Sequence, residues 1–263
     1  MLDWLKRLSA NEMAFMFCAG FVVLTVIGIL VCRPYSRRFI HSQRNANDMI
    51  GFALASFATL YGILLGLLAV EAYQDFSSAK DSVSKNAVTM ATLFNDLDGL
   101  PPQLSSQLKT DLHAYADEAL ETLWPKDPTT PPPVGPSPNL HRMLDRLLAF
   151  KPSTKSEELV HEEGFHAINT LIEQRRLLIS SSSGGIPGAL WVVVALGAFL
   201  YLLLMCLFAM ELHVHIVLGS STALFLGAVV FLIAALDNPF RGGVTVDPTP
   251  IRDVRDAVAV VDQ

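Results

Sequence analysis

Two clusters of histidine and acidic residues have types and spacings that could bind a metal or move a proton. The first is the run His161-Glu162-Glu163-Gly164-Phe165-His166, which has the residue types of a helical zinc site. Metal-binding histidines on one helical face need a four-residue step, whereas the five-residue step here turns them about 140° apart. We therefore interpret this run as a solvated helix face and predict no metal site in it.

The second cluster is Glu211, His213 and His215, between two apolar blocks of the chain. Histidine titrates near pH ~6.5 and its neutral ring is a common metal ligand, so either role is chemically open to it. Polar residues at such a place more often cap helices at a membrane surface. We favour that interpretation and predict neither a metal nor a cofactor.

Two further carboxylates, Glu71 and Asp75, follow a long apolar block and lie about one helical turn apart. Rings of acidic side chains are recurrent parts of cation pathways.

The sequence has no phosphate loop, nucleotide fingerprint, nucleophile elbow or cysteine–histidine zinc pattern, so we predict that the protein is not an enzyme. Its net charge of -6 and its lack of a basic aromatic face argue against nucleic acid as a partner.

The elements that must position these residues include four apolar blocks long enough to cross a bilayer. The chain has 263 residues, of which 51% are hydrophobic and 17% charged. Soluble domains are about a quarter charged, and a hydrocarbon core about 30 Å thick needs about 20 apolar helical residues. The predicted transmembrane helices are residues 13–32, 49–73, 189–210 and 214–236. We therefore predict an all-α integral membrane protein with four transmembrane helices and the lipid bilayer as its surroundings.

These spans divide the chain into four predicted regions. They are an N-terminal helix pair (1–73), a soluble helical domain (74–186), a C-terminal helix pair (187–236) and a tail (237–263). Four spans place both termini and the soluble domain on one side of the membrane. The basic residues do not decide which side is the cytoplasm. The first loop has Arg33, Arg37, Arg38 and Arg44, and the opposite side has Lys6, Arg7, Arg241, Arg252 and Arg255.

The soluble domain has apolar residues at helical spacing. One stripe from Phe76 to Leu97 continues the second span into water, a second helix covers 104–123, and a proline-rich linker covers 125–139. Short helix 140–150 follows, and Thr154 with Glu157 opens a last helix that ends near Ile179. Because these helices are few and their apolar stripes narrow, we expect a small core that depends on other subunits.

The second span has two different faces. Small residues, including Gly62 and Gly66, share one face and allow close approach of another helix. About 140° away lies an apolar and aromatic strip formed by Ala53, Phe57, Tyr61 and Leu64. The same strip continues past the membrane to Glu71 and Asp75. Copies arranged with this strip inward would form a hydrophobic constriction and an acidic ring. The alternative is that the strip faces lipid or other helices.

Several motifs of the chain resemble those of bestrophin channels. Ser56-Phe57-Ala58-Thr59-Leu60-Tyr61, followed by Tyr73-Gln74-Asp75-Phe76, resembles their second span. Leu236-Asp237-Asn238-Pro239-Phe240-Arg241-Gly242 resembles the Asn-Pro-Phe-Gly stretch after their last span. In order and spacing the chain resembles even more the bacterial bestrophin-like domain family, over roughly residues 50–250.

The resemblance implies a homo-oligomer of a bacterial inner membrane, a pentamer if bestrophins are the guide. The second span would line a central pore with Ala53, Phe57 and Tyr61 at its neck, and the soluble helices would form a vestibule. The termini and the soluble domain would be cytoplasmic. Eukaryotic bestrophins continue with an acidic calcium-binding run that the stretch 241–247 lacks, so no calcium site is implied.

We therefore expect an oligomeric bestrophin-like channel that conducts inorganic ions and prefers cations. The constriction would be Ala53, Phe57, Tyr61 and Leu64, and the family motif after the last span would be Asp237, Asn238, Pro239 and Phe240. The alternative is a non-conducting scaffold or sensor whose soluble domain binds a protein partner that the sequence does not identify. A membrane enzyme is the weakest possibility.

Overall fold

The computed structural model describes residues 9–36, 38, 45–127, 129–133 and 135–261. Arg37 and Arg44 of the first loop, and the basic residues before Ser9, lie outside these residues. The described chain forms eight α-helices and no strand. They are α1 (Ala10–Tyr35), α2 (Ala46–Asp96), α3 (Pro102–Leu123), α4 (Pro138–Ala149), α5 (Lys155–Ser183), α6 (Gly188–Cys206), α7 (Leu212–Leu236) and α8 (Thr249–Val261).

Four helical segments of the described chain are long and apolar enough to cross a membrane. They are α1, the first half of α2, α6 and α7, and together they confirm the predicted all-α multi-pass membrane protein. Large apolar side chains on these helices are exposed, for example Phe15, Phe199 and Phe225. Such a surface is stable in contact with lipid tails rather than water.

The membrane helices pack through small residues and one apolar cluster. A Cβ on Gly227 of α7 would lie only 3.0 Å from the backbone of Cys18, so α1 and α7 are in close contact. Close approach through small residues is the usual way in which helices associate in a bilayer. The cluster joins α2 to α6 and α7 and is formed by Tyr61, Leu65, Leu68, Val194, Ala198, Leu226, Val230 and Ile233.

Helix α2 is a single helix of 51 residues and runs on beyond the membrane. At about 1.5 Å per residue it is about 77 Å long, more than twice the hydrocarbon thickness. Its second half buries Ala79, Val83, Met90 and Leu93 against the rest of the soluble domain. The prediction that this helix continues into water is therefore confirmed. It ends in a single 3-10 turn, Leu97–Gly99, before two prolines.

The soluble domain has a well-buried core of its own, so the expectation of a small core is wrong. Its centre includes Leu108, Leu112, Tyr115, Met143 and Ile168, each fully buried. Helix α8 lies in the segment that was predicted only as a C-terminal tail; its Ile251 belongs to this core, and Val254 packs against it. The signal was present in the sequence, because Ile251, Val254 and Val258 recur at helical spacing.

An ion pair holds the end of the proline-rich segment to the helices around it. Arg175 of α5 donates to Glu118 of α3 (2.9 Å) and to the main-chain oxygen of Gly135 (2.7 Å). The same carboxylate accepts from Ser137 and Asn139 at the start of α4. Thr154 caps α5 by accepting from the Glu157 amide, as predicted. Helix α5 continues to Ser183, four residues past the predicted end.

Helix α6 ends at Cys206, earlier than the predicted end at residue 210. The next residues are held by the junction of α1 and α2 instead of by another helical turn. Ser36 donates to the Leu207 carbonyl (2.6 Å), and Asn47 both donates to and accepts from the main chain of Ala209. These bonds fix the loop that joins the last two membrane helices.

Candidate functional site

The side chains of the predicted strip on α2 differ in how far they are buried against the rest of the chain. Tyr61 is 6% exposed and donates its hydroxyl hydrogen to the Val194 carbonyl oxygen at 2.8 Å. Phe57 stacks on Tyr61 with ring centroids 5.8 Å apart and is half-buried, as is Leu64. Ala53 is exposed. Tyr61 therefore lies between α2 and α6 in one chain, whereas the sequence analysis expected it at the constriction.

The reason for the placement of Tyr61 is a gap on α6. A Cβ on Gly197 would collide with the Tyr61 ring, so the glycine makes the space that the ring fills. Buried tyrosine needs a partner for its hydroxyl group, and the Val194 carbonyl supplies one. The side chain thus fixes α2 against α6.

An exposed strip on α2 overlaps the predicted one. Ala53, Leu60, Leu67 and Glu71 are exposed and follow steps of seven, seven and four residues, which place them on one side of the helix. Asp75, one turn further on, is exposed as well. This side of α2 is therefore apolar through the membrane and acidic at its end.

The small-residue face of α2 is also open. Gly62 and Gly66 are exposed, and no described atom lies within 4 Å of a Cβ built at either position. These glycines were predicted to pack against a helix, and within one chain no described helix is in contact there. The face is left available to another copy of the chain.

The segment after α7 connects the membrane helices to the soluble domain. Asp237 accepts a hydrogen bond from the Ile186 amide at 2.5 Å, just before α6 begins. The Asn238 side chain donates to Asp237, and its main-chain oxygen accepts from the Arg241 amide at 3.2 Å. The segment thereby joins the end of α7 to the start of α6.

The next residues of the same segment enter the soluble core. The Pro239 carbonyl accepts from the Val246 amide at 2.7 Å, which closes a compact loop. Phe240 is 3% exposed and lies edge-on to Trp124, with ring centroids 5.3 Å apart. Trp124 in turn donates to the Val246 carbonyl. Residues 237–246 therefore connect the membrane helices to the soluble domain, and we call this segment the joint.

A cavity of about 950 Å³ adjoins this joint, between α1, α6, α7 and the end of α5, and Pro131 and Pro132 of the proline-rich linker also line it. Its walls within the membrane are apolar and include Phe17, Trp191 and Val230. Arg241 lines its other end and is 7% exposed. The Nε and Nη2 atoms of this guanidinium are buried and have no hydrogen-bond partner among the described residues. Burial lowers the pKa of Arg241.

Arg241 was not among the functional candidates predicted from the sequence. There the residue was only a flanking basic residue and a departure from the calcium-binding pattern. The available signal was the position of Arg241, a basic residue directly after Phe240 in the motif that follows the last span.

The three residues of the histidine cluster between α6 and α7 also differ in burial. His215 is buried, and its Nε2 atom lies 3.0 Å from the Met205 carbonyl oxygen. Glu211 and His213 are exposed. The described part of the chain contains no group of three histidine, cysteine or acidic side chains that could hold a metal.

A family model of the bestrophin-like domain matches residues 19–251. The chain belongs to the bestrophin-like family. This match confirms the resemblance on which the sequence analysis relied, and members of the bestrophin family are ion channels rather than enzymes. A search of curated protein sequences gives no match.

Solved structures share the fold of this bestrophin-like protein. A crystal structure of a bacterial bestrophin homologue from Klebsiella pneumoniae superimposes with a TM-score of 0.66 at 16% identity, covering 93% of this chain and 95% of that chain. A single-site mutant described as the same Klebsiella pneumoniae homologue gives 0.60 at 17% identity, covering 95% and 98%. A structure described only as a membrane protein gives 0.66 at 15% identity, covering 94% and 97%.

Proposed function

We propose that this bestrophin-like protein is an oligomeric ion channel whose pore is lined by α2. The observation that carries the proposal is the exposed side of α2, which is apolar from Ala53 through Leu67 and ends at Glu71 and Asp75. Such a side is suited to a water-filled axis that narrows in the membrane and widens at an acidic mouth.

One chain cannot enclose a pathway with a single helix, so the channel requires several copies. The open face at Gly62 and Gly66 supports contact between copies, since small residues allow helices to approach closely. Bestrophin resemblance favours a pentamer. The soluble domains, extending from the same helix, would surround the mouth of the pore.

The proposed constriction is formed by Ala53 together with the half-buried Phe57 and Leu64. Tyr61 supports it from behind, because its ring holds α2 against α6. Glu71 and Asp75 would form the acidic ring and favour cations. Opposite charges at 4 Å attract by about 1 kcal/mol in bulk water and by more in a narrower, drier space.

The proposed location is a bacterial inner membrane, with the soluble domain and both termini in the cytoplasm. This orientation rests on the bestrophin resemblance. A fusion reporter placed after Pro138 would test it, since an active cytoplasmic reporter supports the orientation and an active periplasmic one contradicts it.

Ion flux through proteoliposomes tests the channel proposal. The full chain is purified, the particle mass is measured in detergent, and potassium and chloride release are followed from liposomes made with the same sample. We expect a particle of about five subunits that releases potassium faster than chloride. A monomer, or an oligomer with no flux in either salt, would contradict the proposal.

The second candidate is a scaffold or sensor that does not conduct ions. The proline-rich stretch favours it, because Pro131 and Pro133 are exposed and prolines in extended chain are common ligands of aromatic-lined grooves. Replacement of Pro131–Pro133 by alanine would then remove a bound protein from affinity-purified samples. Unchanged partners in that variant would contradict the scaffold.

A further inference from the structure

Arg241 is the most unusual charged residue of the described chain. The residue is only 7% exposed, yet its Nε and Nη2 atoms have no hydrogen-bond partner among the described residues. A buried cation is costly unless it is paired and hydrogen-bonded. An arginine in this state, on the wall of a cavity, is suited to an anion that enters from outside the chain.

The shape of the cavity restricts what that anion can be. The cavity extends from Arg241 and Gly243 outside α7 to Ala198 in the middle of α6. Most of the side chains that line its membrane portion are apolar. A free inorganic anion would occupy only the end near Arg241 and leave the apolar portion without a ligand. An amphiphile with one charged end would occupy both.

Two features place the charged end of the cavity at the level of lipid headgroups. Trp191 lies in the first turn of α6 and lines the cavity, and tryptophan is enriched at the membrane–water interface. Asp237, directly after α7, lines the same end and already accepts from the Ile186 amide. A Cβ on Gly188 or Gly242 would meet no described atom within 4 Å, so this end has room for a headgroup.

The cavity is open sideways toward the bilayer. Val192 and Ala195 both line it and are exposed on the outer side of α6. Its volume of about 950 Å³ lies at the upper end of the range for ligand cavities, about 300–1,000 Å³. A lipid can therefore enter from the membrane without passing through water.

We propose that this cavity binds an anionic phospholipid, with the headgroup phosphate on the Arg241 guanidinium and an acyl chain along Phe17, Trp191 and Val230. The lipid would bridge α6, α7 and the joint that leads into the soluble domain. It would thereby stabilise the connection between the membrane half and the extramembrane half. The site does not depend on ion conduction, and its test does not measure flux.

Lipid titration of the delipidated full chain tests the proposal. The probes are phosphatidylglycerol, phosphatidylcholine with the same acyl chains, and inorganic phosphate. Retained lipid is measured by native mass spectrometry and thermal stability by the midpoint of unfolding. We expect phosphatidylglycerol to bind at least fivefold more tightly than phosphatidylcholine and to raise the midpoint, and inorganic phosphate to do neither.

Two matched pairs of variants separate the site from general effects. Arg241→Gln should abolish the preference for phosphatidylglycerol, whereas Arg252→Gln, which removes the same charge from an exposed position on α8, should keep it. Ala195→Phe should reduce binding of phosphatidylglycerol by filling the cavity, whereas Val193→Phe, exposed two residues away and outside the cavity, should not.

Several outcomes would overturn the proposal. Arg241→Gln with an unchanged preference for phosphatidylglycerol would exclude the guanidinium as the headgroup site. Inorganic phosphate that protects as well as the lipid would indicate a free-anion site. Loss of the oligomer in Arg241→Gln, with lipid binding intact, would indicate that a second copy of the chain covers the cavity. If Arg241→Gln does not fold, Ala195→Phe against Val193→Phe decides the result.

Discussion

Tyr61 on α2 fills a gap that Gly197 leaves on α6. A Cβ at Gly197 would collide with the tyrosine ring, and the hydroxyl group is held 2.8 Å from the Val194 carbonyl oxygen one turn away. This contact holds the Tyr61 side of α2 against α6. Ala53, Leu60 and Leu67, at other positions around the helix, are exposed.

Substitution of Gly197 tests this contact. Gly197→Ala should lower the free energy of unfolding by about 1–3 kcal/mol, because the new methyl group overpacks the Tyr61 ring. The measurement is thermal unfolding of the purified full chain in detergent. In a Tyr61→Leu background the same substitution should cost much less. Equal costs in both backgrounds would show that the two residues do not interact.

Contact between copies is expected at the two exposed glycines of α2. Gly62→Leu with Gly66→Leu should reduce the particle mass, because the larger side chains prevent close approach of a second helix. Gly20→Leu on α1 is a matched control, since its Cβ position also meets no described atom within 4 Å. An oligomer unchanged by the Gly62 and Gly66 pair would place the subunit contact elsewhere.

Cation preference is expected to depend on the two acidic residues at the end of the exposed strip. Glu71→Gln with Asp75→Asn should shift the ratio of potassium to chloride permeability several-fold toward one, because the acidic ring loses its charge. Reversal potentials in a potassium chloride gradient measure this ratio. Asp81→Asn is the control, being exposed on α2 but about 120° around the helix from Asp75. An unchanged reversal potential in the double variant would remove both acids from the pathway.

The stability of the soluble domain should depend on pH through Tyr115. Burial raises the pKa of Tyr115 to about 12, against 10.0 for an ordinary tyrosine. Since the folded state holds the proton more tightly, the contribution of Tyr115 to the free energy of unfolding is constant below about pH 10 and falls by about 2–3 kcal/mol as pH rises through 12. Denaturant unfolding from pH 8 to 11.5 measures this loss.

Tyr115→Phe should lack that fall, whereas Tyr73→Phe, at an exposed tyrosine, should keep it. At neutral pH Tyr115→Phe should also be less stable by about 1 kcal/mol, because Asn86 loses the hydroxyl oxygen that accepts its hydrogen bond. A wild-type and a Tyr115→Phe curve of equal slope above pH 10 would contradict this account.

The sequence was sufficient for features that depend on length and periodicity. Four apolar blocks predicted the membrane helices, and the stripe from Phe76 to Leu97 predicted that α2 continues into water. The Thr154 cap followed from a local pattern between two residues three positions apart at one helix end. Each of these features is determined by residues close together in the chain.

Features that depend on a partner element were not accessible in that way. Helical spacing placed Tyr61 with Phe57 and Ala53, but the gap at Gly197 lies 136 positions away in the chain. Helix α8 has a short apolar stripe whose partner is a core built from four other helices. The state of Arg241 depends on the cavity that α1, α6 and α7 enclose.

Potassium flux through an Ala53→Trp variant tests the central claim most directly. Ala53 is exposed on α2, so the indole does not disturb packing within the chain and would narrow a pore lined by this helix. Phe15→Trp, at an exposed position on α1, is the matched control. We expect Ala53→Trp to lower the flux at least tenfold with the particle mass unchanged, and Phe15→Trp to conduct as the wild type does. Equal flux in all three proteins would contradict a pore lined by α2.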